Sequence, residues 1–172
     1  VDNAHGAYLK FLQPSQHPID LGASMSCDSA HKTLPVLTGG AYLHISSKAP
    51  KLFSDNAKRA MELFASTSPS YLILQSLDAA NQYLSDQYSA SLNCFIEMAQ
   101  ELKGRLLQNG FHFVGNEPLK WTLDCKRYGY RGYDIADYLH QHNIVCEFFD
   151  PDFVVMMLTP EIRAKDLERL TK

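Results

Sequence analysis

Apolar residues recur along this chain in two rhythms, a helical one in the middle and a strand-like one at both ends. Residues 21–26 and 41–46 read as two short strands, because each holds a compact apolar run between turn-forming residues. They bracket the stretch Ser29-Ala30-His31-Lys32-Thr33-Leu34-Pro35. Before them, residues 6–12 predict a short helical or irregular piece that Pro14 ends. Ser54 predicts the N-cap of an amphipathic helix reaching about Ala65, with Asp55 in its first turn. Residues 66–70 break the pattern, and helical spacing returns from Tyr71 to Leu84. A long helix is predicted over Ala90 to Gln108, with Leu92, Phe95, Met98, Leu102 and Leu106 on one stripe and Gly110 as the glycine that ends it.

Beyond Gly110 the pattern changes to short strands. Phe111–Val114 and Leu119–Cys125 are followed by a helix over Asp134–His142, then Val145–Phe149, Phe153–Leu158 and a last helix from Pro160. That order predicts a small α+β domain built on an antiparallel sheet.

Composition bounds the function. With 172 residues, 45% of them hydrophobic, the chain suits one domain of ordinary size or parts of two. A net charge of −3 gives no basic field for nucleic acid or a membrane surface. No apolar run reaches the ~20 residues that a membrane-spanning helix needs. Cys27, Cys94, Cys125 and Cys146 show no C-x-x-C spacing, as expected of reduced thiols in a cytoplasmic protein.

One lysine stands out. Lys32 lies between two core-type strands, with Ser29, His31, Gly39 and Gly40 nearby. It reads either as a strand-end side chain snorkelling to water or as a functional amine. Asp2, in Asp2-Asn3-Ala4-His5-Gly6, stands thirty positions upstream (32 − 2 = 30). Alone it reads as a strand-end aspartate accepting from loop amides. Other groups carry less weight. His140 and His142 are poorly spaced for a metal, and His17 and His44 have no Cys or carboxylate partner at ligand spacing.

Taken together, D-N-A-H-G and S-A-H-K-T-L-P resemble the Orn/Lys/Arg decarboxylase family, and so do Thr67-Ser68-Pro69-Ser70-Tyr71-Leu72 and the segment from Ile144 to Thr159. The resemblance implies an α/β architecture: the C-terminal part of a large domain of pyridoxal-phosphate-dependent fold type I, followed by a small α+β domain. The implied divisions are 1–85 for the partial cofactor domain, 86–109 for a connecting helix and 110–172 for the small domain. A native chain beginning far upstream is implied as well.

The resemblance also assigns roles. Lys32 would condense with the aldehyde of pyridoxal 5'-phosphate, its base form favoured by partial burial. Asp2 would hold a proton on the pyridine nitrogen, Ala4 would leave the ring face uncrowded, and His5 either contacts the cofactor or packs. Ser29 and His31 would bind phosphate, as would Thr67, Ser68 and Ser70 near a helix start at Pro69. In similar enzymes that last segment reaches a neighbouring subunit, which implies a homo-oligomer with its active site at a dimer interface. Glu147 and Asp150 either face a basic substrate or stand in solvent. The implied reaction is α-decarboxylation of arginine, lysine or ornithine to a polyamine precursor, the present stretch alone being inactive. A transaminase or aldolase-like enzyme, or a non-catalytic assembly domain, remains open. An arginine clamp would favour a transaminase, and the spacing of Arg127, Arg131 and Arg163 does not decide it.

Overall fold

The computed structural model describes residues 1–171 as a mixed α/β chain with antiparallel sheets. It forms two compact units, Val1–Ala90 and Ser91–Lys172.

The first unit is built on a small ladder. Strands β1 (Met25–Asp28) and β2 (Tyr42–Ile45) pair antiparallel, with Ser26 opposite His44 and Cys27 opposite Leu43. The chain start runs parallel beside β1: Cys27 N–H donates to Val1 O at 3.1 Å and Asn3 N–H to Cys27 O at 2.9 Å. Strand alternation then sends Asp2 and Cys27 to one face, Asn3, Ser26 and Asp28 to the other. A 3₁₀ turn, Ala7–Phe11, buries Ala7 and Tyr8.

After β1, Ser29 begins a single helical turn, α1 (Ala30–Thr33), whose Ala30 and Thr33 are buried. The strand expected over 21–26 forms later, because His17 and Pro18 carbonyls accept the N–H groups of Asp20, Leu21 and Ala23 and fold 17–23 into turns.

Helices α2 (Lys51–Phe64) and α3 (Tyr71–Tyr83) complete this unit. Ser54 is not the cap. The helix starts earlier, after Pro50, and the Ser54 hydroxyl donates back to Lys51 O at 2.9 Å. No residue of α2 is buried. Its apolar side leaves an open groove of about 550 Å³, lined by Met25 and Leu43 opposite Phe53, Ala57, Ala60 and Phe64. Ser70, not Pro69, precedes the first residue of α3. A π-helical turn, Leu84–Tyr88, follows α3. It carries Tyr88 into the core, where its ring lies 5.0 Å from Phe11 and 5.8 Å from Tyr83.

Helix α4 (Ser89–Gln108) runs into the second unit, burying Leu92, Phe95, Ala99, Leu102 and Leu106. Ala99 takes the place expected for Met98, which is exposed, because steps of three and four alternate along the buried stripe and two successive steps of three would rotate Met98 off it.

Strands β3 (Phe113–Val114) and β4 (Lys120–Asp124), helix α5 (Gly132–Gln141), strands β5 (Phe148–Phe149) and β6 (Phe153–Met157), and helix α6 (Ala164–Leu167) follow. The sheet is wholly antiparallel, in the order β3-β4-β6-β5. Trp121, Leu123, Val154 and Met156 form its buried face. Gly132 is required where α5 starts, since a Cβ there would overlap the carbonyl oxygens of Asp150 and Phe153. The elements that fall furthest short of expectation are β3, β5 and the last helix, which begins at Ala164 rather than Pro160.

Candidate functional site

The ladder brings together two segments that are far apart in the chain. Asp2 pairs with Cys27, and Lys32 follows Cys27 by five residues (32 − 27 = 5), across Ser29 and the turn of α1. Asp2 is exposed, with Oδ1 accepting the Ala4 N–H at 3.1 Å. Its other oxygen makes no hydrogen bond among the described residues. Ala4 and His5 are half-buried.

Lys32 is exposed and its Nζ makes no ion pair among the described residues. Partial burial was the expectation. A single turn can turn only one side inward, and Ala30 and Thr33 take that side. Ser29 makes no side-chain cap bond, so its hydroxyl remains available. Thr33 Oγ1 is buried without a hydrogen-bond partner among the described residues. His31 lies with Nδ1 3.0 Å from Gly40 O. A carbonyl only accepts, so Nδ1 carries a proton, and Nε2 of the neutral ring is an acceptor. His31 would therefore donate to a phosphate through Nε2 only as imidazolium.

Behind the ladder lies a polar cluster that spacing alone did not reveal. Asp28 is 1% exposed. Its Oδ1 accepts from Asn3 Nδ2 at 3.0 Å and Ser26 Oγ at 2.9 Å. Its Oδ2 lies 2.8 Å from His17 Nε2 and 3.2 Å from His44 Nε2. Burial alone would raise the Asp28 carboxyl, but the bonds from His17, Asn3 and Ser26 outweigh it and hold it below the ordinary value of 3.8. Burial pushes the His44 imidazole the other way, below 6.5, against the pull of Asp28. His17 and His44 thus do have a carboxylate partner. The signal that finds it is strand register: Ser26 faces His44, and Asp28 is two positions along on the same face.

Thr67, Ser68 and Ser70 are exposed in the connection between α2 and α3, where Ser68 N–H donates to Ser66 Oγ at 3.0 Å. Ser70 precedes α3 without a side-chain cap bond.

In the second unit, Glu147 is exposed, its N–H donating to Val155 O at 2.9 Å. Asp150 is structural there. Its Oδ1 accepts the N–H groups of Asp152 and Phe153 at 2.8 and 2.7 Å and shapes the β5–β6 turn. Arg131 and Arg163 pair locally with Asp134 and Asp166. Burial pushes the Cys125 thiol up to about 11, far from a thiolate nucleophile.

A family model described as "Orn/Lys/Arg decarboxylase, major domain" matches residues 1–122. The chain belongs to the Orn/Lys/Arg decarboxylase family. Among similar proteins, YaaO of Bacillus subtilis (strain 168) is 32% identical over 168 residues, covering 92% of this chain and 35% of the relative. The arginine decarboxylase of the same organism is 27% identical over 186 residues, covering 100% of this chain and 38% of that one. The chain therefore spans a little over a third of the length of these relatives. Among solved structures, the constitutive lysine decarboxylase of E. coli superposes with a TM-score of 0.76 at 19% identity, over 99% of this chain and 31% of that chain. That likeness is one of fold. No helix among the described residues is long and apolar enough to cross a membrane.

Proposed function

We propose that this chain supplies the lysine-bearing part of a pyridoxal-phosphate-dependent enzyme of fold type I that removes the α-carboxyl group of a basic amino acid. One observation carries the reading: Asp2 and the strand leading to Lys32 are hydrogen-bonded neighbours in a parallel pair. The donor set fits the cofactor. Among the described residues it offers an unpaired amine, a carboxylate with one oxygen uncommitted, and the Ser29 hydroxyl beside the lysine.

When bound, the cofactor supplies the electron sink for the pair left behind by the departing carboxylate. The residues do the rest. Lys32 Nζ is the group that would hold the cofactor by its aldehyde. Asp2 keeps a proton on the pyridine nitrogen through its uncommitted oxygen. Ala4 leaves the ring face clear, and His5 stands in the same half-buried loop. Ser29 and His31 bind phosphate, His31 as imidazolium. Thr67, Ser68 and Ser70 serve the site of a second subunit, so a homo-oligomer in the cytoplasm shares its active sites across a dimer interface. Glu147 contacts the distal cation of arginine, lysine or ornithine.

The exposure of Lys32 favours a second statement. This stretch by itself is catalytically silent, because an amine in water binds an aldehyde weakly and reversibly.

Borohydride reduction of the cofactor-loaded enzyme containing this chain, followed by peptide mapping, tests the assignment. The label is expected on Lys32, and Lys32→Ala is expected to lose both the label and carbon dioxide release. Labelling of any other lysine would refute it.

A further inference from the structure

We infer that Asp28 is a positioning residue that clamps the Asp2 segment to the strand leading into Lys32. The inference rests on the decarboxylase reading above and names what holds that site in register.

One buried carboxylate gathers donors from four places in the chain: Asn3, the loop at His17, β1 at Ser26 and β2 at His44. Asn3 is the immediate neighbour of Asp2, and Asp28 stands four residues before Lys32 (32 − 28 = 4). Asp28 thus joins the two arms from behind, while Asp2 leaves the ladder on the opposite face. The D-N-A-H-G motif gains a second physical meaning here. A Cβ on Gly6 would overlap the Asn3 side-chain amide, so the glycine makes room for the group that reaches Asp28.

The heteroatoms of His17, Asp28 and His44 lie within 4.8 Å of one another, a set that would also suit a divalent cation. The protonation pattern argues against one. Ile19 N–H donates to His17 Nδ1 at 3.3 Å, which makes Nδ1 the acceptor and leaves the proton on Nε2, facing Asp28 Oδ2 at 2.8 Å. A cation would have to displace that proton, so the cluster is a hydrogen-bonded clamp. Its role follows from geometry, since a shift of about 1 Å between reacting groups costs about 10²-fold in rate.

The test uses Asn3→Ala, Asp28→Asn and the double variant in the full cofactor-loaded enzyme. Asn3→Ala is expected to stay folded, with a modestly lowered Tm from the lost bond to Asp28, and to keep the absorbance band of lysine-bound cofactor. Its kcat should fall about 10- to 100-fold while KM stays within about threefold. The double variant should be no worse than about twofold below the weaker single variant, because both break one contact. If Asp28→Asn does not fold, the kcat and KM of Asn3→Ala decide alone. Normal turnover in Asn3→Ala, or multiplicative losses in the double variant, would overturn the clamp while leaving the decarboxylase reading intact. Absence of the cofactor band from the wild-type enzyme would overturn both. A stoichiometric zinc ion that survives dialysis and disappears with Asp28→Asn would replace the clamp with a metal site.

Discussion

The two units solve burial in opposite ways. All four buried polar or charged residues among those described, His17, Ser26, Asp28 and Thr33, lie in the first unit. The second unit buries an apolar set around Trp121, Phe95, Leu102 and Val154. A buried carboxylate costs stability unless several donors meet it, whereas a buried indole stabilises by the area it removes from water. The first unit therefore gives up packing for fixed polar geometry, and its helix α2 leaves Leu63 and Phe64 exposed at 74% and 85%. The lesson is that candidate chemistry and bulk stability sit in different parts of the chain and should respond to different substitutions.

Asp2→Asn attacks the chemistry alone. In the cofactor-loaded enzyme it is expected to lower kcat by about 10² or more, while Tm and cofactor content change little because Asp2 is exposed. A rate near wild type would move the chemistry away from Asp2.

Trp121→Ala is the converse. Trp121 is 1% exposed, and its loss is expected to cost about 3–5 kcal/mol in denaturant unfolding. Leu63→Ala on α2 should change stability by less than about 0.5 kcal/mol. Equal effects from the two would erase the contrast in packing.

Gly6→Ala sharpens the comparison inside the first unit. The new methyl group must push the Asn3 amide off its path to Asp28, at an expected cost of about 1–3 kcal/mol. An unchanged unfolding midpoint would show that Asn3 has another place to go.

Acid should separate the units most gently. The Asp28 carboxyl is depressed in the fold, so its contribution is fully present above about 3.8, the unfolded value, and is lost as pH falls through the lower folded one. The His44 imidazole is also depressed, so below about 6.5 the unfolded chain takes up its proton first and stability starts to fall there. Lowering the pH from 6.5 towards 3 should therefore broaden the NMR signals of His44 before the fluorescence of Trp121, the one tryptophan, changes. Simultaneous loss of both signals would mean that the units unfold together.

Much of this was legible in the residues. The β-β-α-β-β-α order after Gly110 follows from period and turn residues, and the elements follow in that order along the chain, although in the antiparallel sheet β6 lies between β4 and β5. Family membership was readable from two short motifs, and the match over residues 1–122 establishes it. Element ends were less legible. The start of β1, the start of α2 and the lengths of β3 and β5 depend on which carbonyl each N–H finds, and local pattern does not encode that.

The sequence by itself determined the helical and strand periods, the near-neutral charge and the motif that holds Lys32, because each depends on residues within a turn or two of one another. Only the tertiary structure decided that Asp2 lies beside β1, that Lys32 faces water, and that His17 and His44 meet at Asp28. Those contacts span 11 and 16 residues (28 − 17 = 11, 44 − 28 = 16). They exist only because a parallel pair and an antiparallel pair share one strand, which sets register and face for residues that no local spacing connects.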